Sequence, residues 1–271
     1  SNSMKKIALL LYIPVIFFAH FLFAAEPIIS NVLPRGGAVG SDMEVVVSGS
    51  RLSDAEEIFF YEDGLTAYDL NVSNAKSIKA KFKISKTARI GQHELRLRTK
   101  SGISTLKTFW VGPYPNLQEK EPNTSFDDAQ KVTLNQTING LIKSEDVDYF
   151  ELNATKGQRL SLEIEAIRLS GALFDPYIAI LDSNHFEVAT SDDTALLLQD
   201  STLSMIVPKD GKYYIEVRES SYRGGNNFYY RLHVGNFPRP LIAFPAGGQA
   251  GKLLSVKLMG DPTGPIQKNI Q

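Results

Sequence analysis

With no cysteine in the chain, chemistry has to rest on carboxylates, histidines, hydroxyls and amides, and the carboxylates are the best organised of these. Glu119, Glu121 and Asn123 stand at alternate positions of an extended stretch, so their side chains share one side. Glu145, Asp146 and Asp148 open a strand further along. Calcium takes about six to eight oxygens from carboxylates, amide carbonyls and backbone. If the first stretch folds back beside that strand, Glu119, Glu121, Asn123, Glu145 and Asp148 nearly supply a calcium site. The competing reading is a turn at Pro122-Asn123 with the acids facing solvent.

Nucleophilic hydrolysis needs a base beside the nucleophile, and the chain has four histidines. His20 lies in an apolar N-terminal run, His185 in a turn after Asp182, and His233 on the polar side of a strand. His93 has the apolar parity of its strand and reads as a packing or edge residue. No GxSxG or HExxH frame appears, and no glycine-rich phosphate loop opens a helix. Glu163 and Glu165 point out of one sheet face at i, i+2 and read as surface charge, not as a glycosidase pair. Asp192, Asp193 and Asp200 read as loop polars. No catalytic residue is therefore assigned, and no cofactor other than calcium. Among the aromatics, Tyr213 and Tyr230 have inward parity. Tyr214, Tyr222 and Tyr229 are expected to form an exposed strip able to stack on sugar or peptide; domain packing or plain sheet surface is the alternative.

The elements that must position these groups are strands. Residues 77–85 place Ile78, Ala80, Phe82 and Ile84 on one face and Lys79, Lys81 and Lys83 on the other. The same alternation marks 93–98, 159–166, 203–207, 213–217 and 230–234, each bounded by turn residues such as Lys156-Gly157 and Asp210-Gly211. No long amphipathic helix is expected after residue 25; a single helical turn near 126–131, capped by residues 123–125, is the best candidate. The fold class expected is all-β, with tandem antiparallel β-sandwiches.

An internal repeat sets the organisation. Pro34-x-Gly36-Gly37-x-x-Gly40 leads into Met43-x-Val45-x-Val47-x-Gly49, and the frame recurs as Pro245-x-Gly247-Gly248-x-x-Gly251 leading into Leu254-x-Val256-x-Leu258-x-Gly260. Residues 237–271 are thus expected to be a linker and the first strands of a truncated second copy of the first domain, ill-ordered or packed opportunistically. The first domain is expected over 26–112, a Pro-containing linker over 113–118 and the second domain over 119–236. Residues 4–25 (a short basic start, an apolar run and Ala24-Ala25) read as a secretory signal peptide, behind a three-residue cloning remnant. Export places the protein outside the cell or in the periplasm, with no membrane partner after cleavage. The formal net charge of −1, spread along alternating strands, gives no case for nucleic acid.

Over about 120 residues the second domain resembles the bacterial pre-peptidase C-terminal domain. The matching stretches include Glu119-x-Glu121-Pro122-Asn123, residues 144–150 (SEDVDYF), Phe174-Asp175-Pro176-Tyr177, and Pro208-x-Asp210-Gly211-x-Tyr213-Tyr214. The resemblance implies a jelly-roll-like sandwich that often flanks secreted peptidases without being one. In related collagen-binding domains of clostridial collagenases, acidic linker residues and a following acidic stretch hold calcium. Glu119, Glu121, Asn123, Glu145 and Asp148 match those positions, while Thr124 replaces an acidic ligand. The first domain resembles the immunoglobulin-like IPT/TIG class. Together they imply a non-catalytic spacer, adhesion or targeting segment of a large secreted bacterial protein. Its partners would be neighbouring domains of the same polypeptide and an extracellular protein or polysaccharide. A targeting or regulatory segment of a secreted peptidase is the alternative.

Overall fold

The computed structural model describes residues 26–194 and 197–271, so the expected signal peptide lies outside the described residues. The period-two segments all become strands, because each offers one apolar face to a facing sheet. In the first domain these are β1 (Ile28–Leu33), β2 (Gly36–Ala38), β3 (Asp42–Ser50), β4 (Ala55–Phe60), β5 (Leu65–Asn74), β6 (Ser77–Ile84), β7 (Gly91–Thr99), β8 (Gly102–Ile103) and β9 (Lys107–Gly112). They form two sheets, ordered β1-β3-β6-β5 and β2-β9-β7-β4. Val45, Val47, Ile78 and Phe82 from one sheet meet Leu95, Leu97, Phe109 and Val111 from the other, all fully buried. Phe82 sits edge-on to both Phe60 and Phe109, with ring centres 5.1 Å apart in each pair. His93 is buried with this set, as its parity requires.

The second domain comprises β10 (Asn116–Gln118), β11 (Gln130–Lys131), β12 (Gln136–Leu141), β13 (Val147–Ala154), β14 (Arg159–Glu165), β15 (Pro176–Leu181), β16 (Glu187–Ser191), β17 (Thr202–Ile206), β18 (Gly211–Glu219) and β19 (Tyr229–Gly235). Its sheets are ordered β10-β12-β19-β14-β17 and β11-β13-β18-β15-β16. The pairing is antiparallel except at β10 and β11, which add in parallel to β12 and β13, and at β2, which adds in parallel to β9. Among the described residues the only helical segment is a 3-10 turn at Ile167–Leu169; the turn expected near 126–131 is not helical.

The last unit is a three-stranded meander of β20 (Ile242–Phe244), β21 (Leu254–Met259) and β22 (Ile266–Ile270). Its β20–β21 register reproduces the first domain. Ile242, Ala243 and Phe244 face Met259, Leu258 and Lys257, just as Asn31, Val32 and Leu33 face Ser48, Val47 and Val46. Gly40 and Gly251 both take positive φ, at 74° and 79°, which glycine alone reaches without steric cost. The copies then diverge. At the offset that superposes Pro34 on Pro245, β22 corresponds to β4, which pairs with β7 in the opposite sheet. Here β22 instead takes the place beside β21 that β6 holds beside β3. Asp261 ties this unit to the second domain, bonding Arg159 at 2.8 Å and the Arg239 amide at 2.8 Å.

The first two domains meet over a polar floor. Thr137, Glu165, Arg231 and His233 have outward parity on their sheet, yet all are buried beneath the first domain. Arg231 Nη1 pairs with Glu165 at 2.8 Å, His233 Nε2 lies 3.1 Å from the same carboxylate, and His233 Nδ1 bonds Thr137 at 2.8 Å. Gly36 allows the approach, since a Cβ there would run into the Arg231 guanidinium. Glu163 and Glu165, expected as surface charge, are in fact paired by Arg168 and Arg231 respectively. Burial works against the Glu165 charge, but Arg231 and His233 outweigh it and hold the carboxyl down to about 2.

Breaking a buried pair strands its partner, so Arg231→Ala should cost about 3–5 kcal/mol in denaturant unfolding of the second domain. A carboxylate lowered in the folded state contributes stability that is complete above its ordinary pKa of 4.5 and is lost as pH falls through about 2. Glu165→Gln should therefore flatten the acid dependence of stability across that window, checked by denaturant titrations at a series of pH values.

Candidate metal centre

The acidic residues are brought together by the way the linker re-enters the second domain. Leu117 packs against the core, which draws β10 in beside β12, and the Glu119 amide continues the ladder to the Asn139 carbonyl at 3.0 Å. Further on, the Tyr149 amide donates to the Asn123 carbonyl at 2.8 Å. The stretch carrying Glu119, Glu121 and Asn123 is thereby laid beside the start of β13.

On β13, Asp148 shares parity with Phe150, Leu152 and Ala154, so a carboxylate occupies the first inward position of a core strand. It is fully buried. Its Oδ2 accepts from the Tyr230 hydroxyl at 2.6 Å, while its Oδ1 has no hydrogen-bond partner. Asn123 is also fully buried. Its amide nitrogen donates to Glu119 at 3.2 Å, which leaves Oδ1 without a partner. Glu119 Oε1 also lies 3.0 Å from the Tyr230 hydroxyl, whose one proton is shared with Asp148, and Glu119 Oε2 accepts from the Leu141 amide at 2.9 Å. Carboxylate oxygens of Glu121, Asp146 and Asp148 lie within 4.8 Å of one another. A cavity lined by Glu121, Thr124, Ser144, Glu145 and Asp146 opens the cluster to solvent.

Of the five residues expected to bind calcium, Glu121 and Asp148 bring carboxylate oxygens together with one of Asp146, and Glu119 and Asn123 are bonded to each other beside Asp148. Glu145 borders the same cavity from its exposed side. It adopts a left-handed conformation with φ of 61°, donates its amide to the Tyr222 carbonyl at 2.9 Å and leaves its side chain exposed. That turn delivers Asp146 to the cluster beside it. Thr124 lines the cavity mouth, where it offers a hydroxyl and no charge.

The electrostatics are those of a site short of positive charge. Burial, and next the neighbouring Glu119 carboxylate, push Asp148 far above the usual carboxylate range, against a lowering by the Tyr230 hydroxyl. Glu121 is raised by burial, then by Asp146 and Glu119, with Lys143 opposing. That lysine lies 3.9 Å from Glu121 at the exposed rim. The donor set is all oxygen, with carboxylates of both strands and an amide carbonyl, which fits a hard divalent cation such as calcium.

The expected tyrosine strip is divided between sheets. Tyr214 lies on β18 and is only 6% exposed, enclosed by Phe126, Ala129 and Tyr177. Tyr222 is 49% exposed, and the Arg218 guanidinium lies between its ring and that of Tyr177. Tyr229 is on β19, in the other sheet, at the junction with the first domain. Consecutive strands entering different sheets separate residues that sequence distance places together. Asp200, expected as a loop polar, is fully buried, where it accepts from the Ala166 and Ile167 amides at 2.9 Å and pairs with Arg168.

Residues 146–219 match the family model of the bacterial pre-peptidase C-terminal domain. A probable subtilase-type serine protease of Deinococcus radiodurans is 26% identical over 110 residues, which is 40% of this chain. The match spans only 14% of that protease's length. Two solved structures match at low similarity. The SGBP-B protein of a Bacteroides ovatus mixed-linkage glucan utilization locus is 11% identical, with 71% of this chain and 74% of that one covered and a TM-score of 0.27. The secreted serine protease VesC of Vibrio cholerae is 8% identical, with coverages of 74% and 48% and a TM-score of 0.29. No helix among the described residues is long and apolar enough to cross a membrane.

At neutral pH the ion-free parent must take up a proton to bury the Asp148 carboxyl, a cost that the neutral amide of Asp148→Asn avoids. In chelator the variant should melt above the parent, and added Ca²⁺ should no longer raise its melting temperature. Thermal scans of both proteins with calcium and with chelator check this pair of opposite effects.

Proposed function

We propose that this chain is a non-catalytic extracellular module, a calcium-stiffened spacer and binding segment of a secreted bacterial protein. The observation that carries the reading is the pair of buried, unpartnered oxygens, Asn123 Oδ1 and Asp148 Oδ1, beside the carboxylates of Glu121 and Asp146. Buried polar atoms are almost always satisfied, and a cation ligated here would satisfy both while balancing the negative charge. Glu119, Glu121, Asn123, Asp146 and Asp148 would hold it. Bound calcium supplies charge neutralisation and a link between two chain segments.

That link has a mechanical consequence. Three of these residues sit on the segment that leaves the first domain, and two lie at the start of β13. The same segment is anchored to the first domain by the Asn116 side chain, which donates to the Gly36 carbonyl at 2.8 Å. Clasping 119–123 to β13 therefore pins the segment that follows β10, and with it β10 itself, to the second domain. With the buried Glu165–Arg231–His233 floor and the Asp261 tie, it favours a stiff rod over a flexible string.

The likeness to part of a subtilase-type protease supports a second reading, a targeting or regulatory segment accompanying a secreted peptidase. A protease frame in the full-length reading frame, and altered cleavage of protein substrate on deletion of 26–236, would favour it.

Extracellular modules bind calcium with dissociation constants of about 0.1–1 mM. By mass action, 10 mM Ca²⁺ should then stabilise the folded chain by about 1.4–2.7 kcal/mol. Calorimetry should show a melting temperature several degrees higher in calcium than in chelator, and limited proteolysis should show slower cutting within 113–124. Identical melting and cutting in the two conditions would sink the proposal.

A further inference from the structure

Two cavities at the junction of the first and second domains run into one another. One, of about 460 Å³, is bordered by Pro34, Met43, Pro115, Asn116, Gln118 and Asn139. The other, of about 340 Å³, shares Pro34, Gln118 and Asn139 and adds Glu44, Val46 and Tyr229 among its walls. Together they make a groove along the margin of the sheet β10-β12-β19, walled by the opening strands of the first domain. Its size is that of ligand sites, which favour domain interfaces.

The floor is a row of side-chain amides, each tied at one end. Asn116 spends its nitrogen on the Gly36 carbonyl at 2.8 Å, and Gln118 spends its own on the Asn139 carbonyl at 3.0 Å. Asn139 spends its oxygen on Arg231 Nε at 3.3 Å. Among the described residues the Asn116 and Gln118 oxygens, the Asn139 nitrogen and the Tyr229 hydroxyl have no protein partner. The free acceptors and donor of the three amides are thus held from their other ends, so less side-chain entropy remains to be lost on binding.

Two observations narrow the ligand. Arg35 and Glu44 stand on the same wall with opposite signs, and the Arg35 guanidinium is already committed to Asn31 and the Leu169 carbonyl. Nothing there selects a charged ligand. The outer edge of β10 is also blocked to an added peptide strand, because the Gln130 side chain accepts from the Lys120 amide at 2.7 Å and donates to the Gln118 carbonyl at 3.1 Å. The geometry points to a neutral oligosaccharide as the ligand of this groove. Its vicinal hydroxyls, each both donor and acceptor, match the alternating free ends of Asn116, Gln118 and Asn139, and Pro34 and Tyr229 offer flat apolar surface to a sugar ring.

The site adjoins the metal centre at Leu141 and Tyr230 but uses different polar groups, and it rests on the reading of the chain as a binding module. Its test uses the whole chain, isotopically labelled, in millimolar Ca²⁺. Cellohexaose, laminarihexaose, xylohexaose and mannohexaose are titrated in turn, with hexagalacturonate and a proline-rich peptide as counter-probes. At least one neutral hexasaccharide should shift the side-chain amide signals of Asn116, Gln118 and Asn139. Gln118→Ala and Tyr229→Ala should each weaken that binding about tenfold, while Tyr222→Ala leaves it unchanged and all three variants keep the parent's methyl spectrum. Silence of those amides toward all four neutral sugars overturns the inference. So does a response to the counter-probes alone, or binding undiminished in both groove variants. Calcium binding is read separately from the thermal scans, so failure of one reading is distinguishable from failure of the other.

Discussion

The structure of the second domain turns on one carboxylate in a core position. Asp148 continues the inward parity of β13, where an apolar side chain would ordinarily close the end of the sandwich. Burying a lone carboxylate is expensive, and around this one the protein gathers further carboxylates in place of an arginine or lysine. Tyr230, itself a core residue, turns its hydroxyl to Asp148 and Glu119. The linker is drawn in until Asn123 is sealed beside them. Each of these arrangements is costly for the chain alone and favourable around a cation.

The contrast with the domain junction shows that the chain can balance buried charge when no ion is needed. Glu165 there has Arg231 and His233, and Asp200 has Arg168 and two backbone amides. Buried charges in proteins are normally paired in this way. The acidic centre departs from that pattern, just after β10, where a bound ion would tie the segment 119–123 to β13.

Much of this was legible in the sequence because it is written in periodicity. Alternation in 77–85 becomes β6 with every even-numbered apolar residue from Ile78 to Ile84 buried. The glycine-framed repeat becomes an identical β20–β21 register. Alternation in Glu119, Glu121 and Asn123 likewise yields a shared side, since the stretch is extended. What escaped depends on three-dimensional events that periodicity does not encode. A single left-handed residue, Glu145, brings the Asp146 carboxylate to those of Glu121 and Asp148 while its own stays exposed at the cavity. The outward parity of Glu165, Arg231 and His233 suggests solvent, and only the arrival of another domain buries them. Tyr214 and Tyr229 separate because β18 and β19 enter different sheets. Asp148 carried a readable signal, an acid at the parity of Phe150 and Leu152, which marks it as the most constrained of the acidic residues.

The most direct measurement is a crystal of the chain grown or soaked in calcium, with a second soaked in a lanthanide for anomalous scattering. The account predicts one strong peak enclosed by Glu121, Asn123, Asp146 and Asp148, with oxygens at about 2.3–2.6 Å, including Asn123 Oδ1 and Asp148 Oδ1. An empty cluster at high calcium, with both of those oxygens still unpartnered or satisfied by water alone, would contradict it.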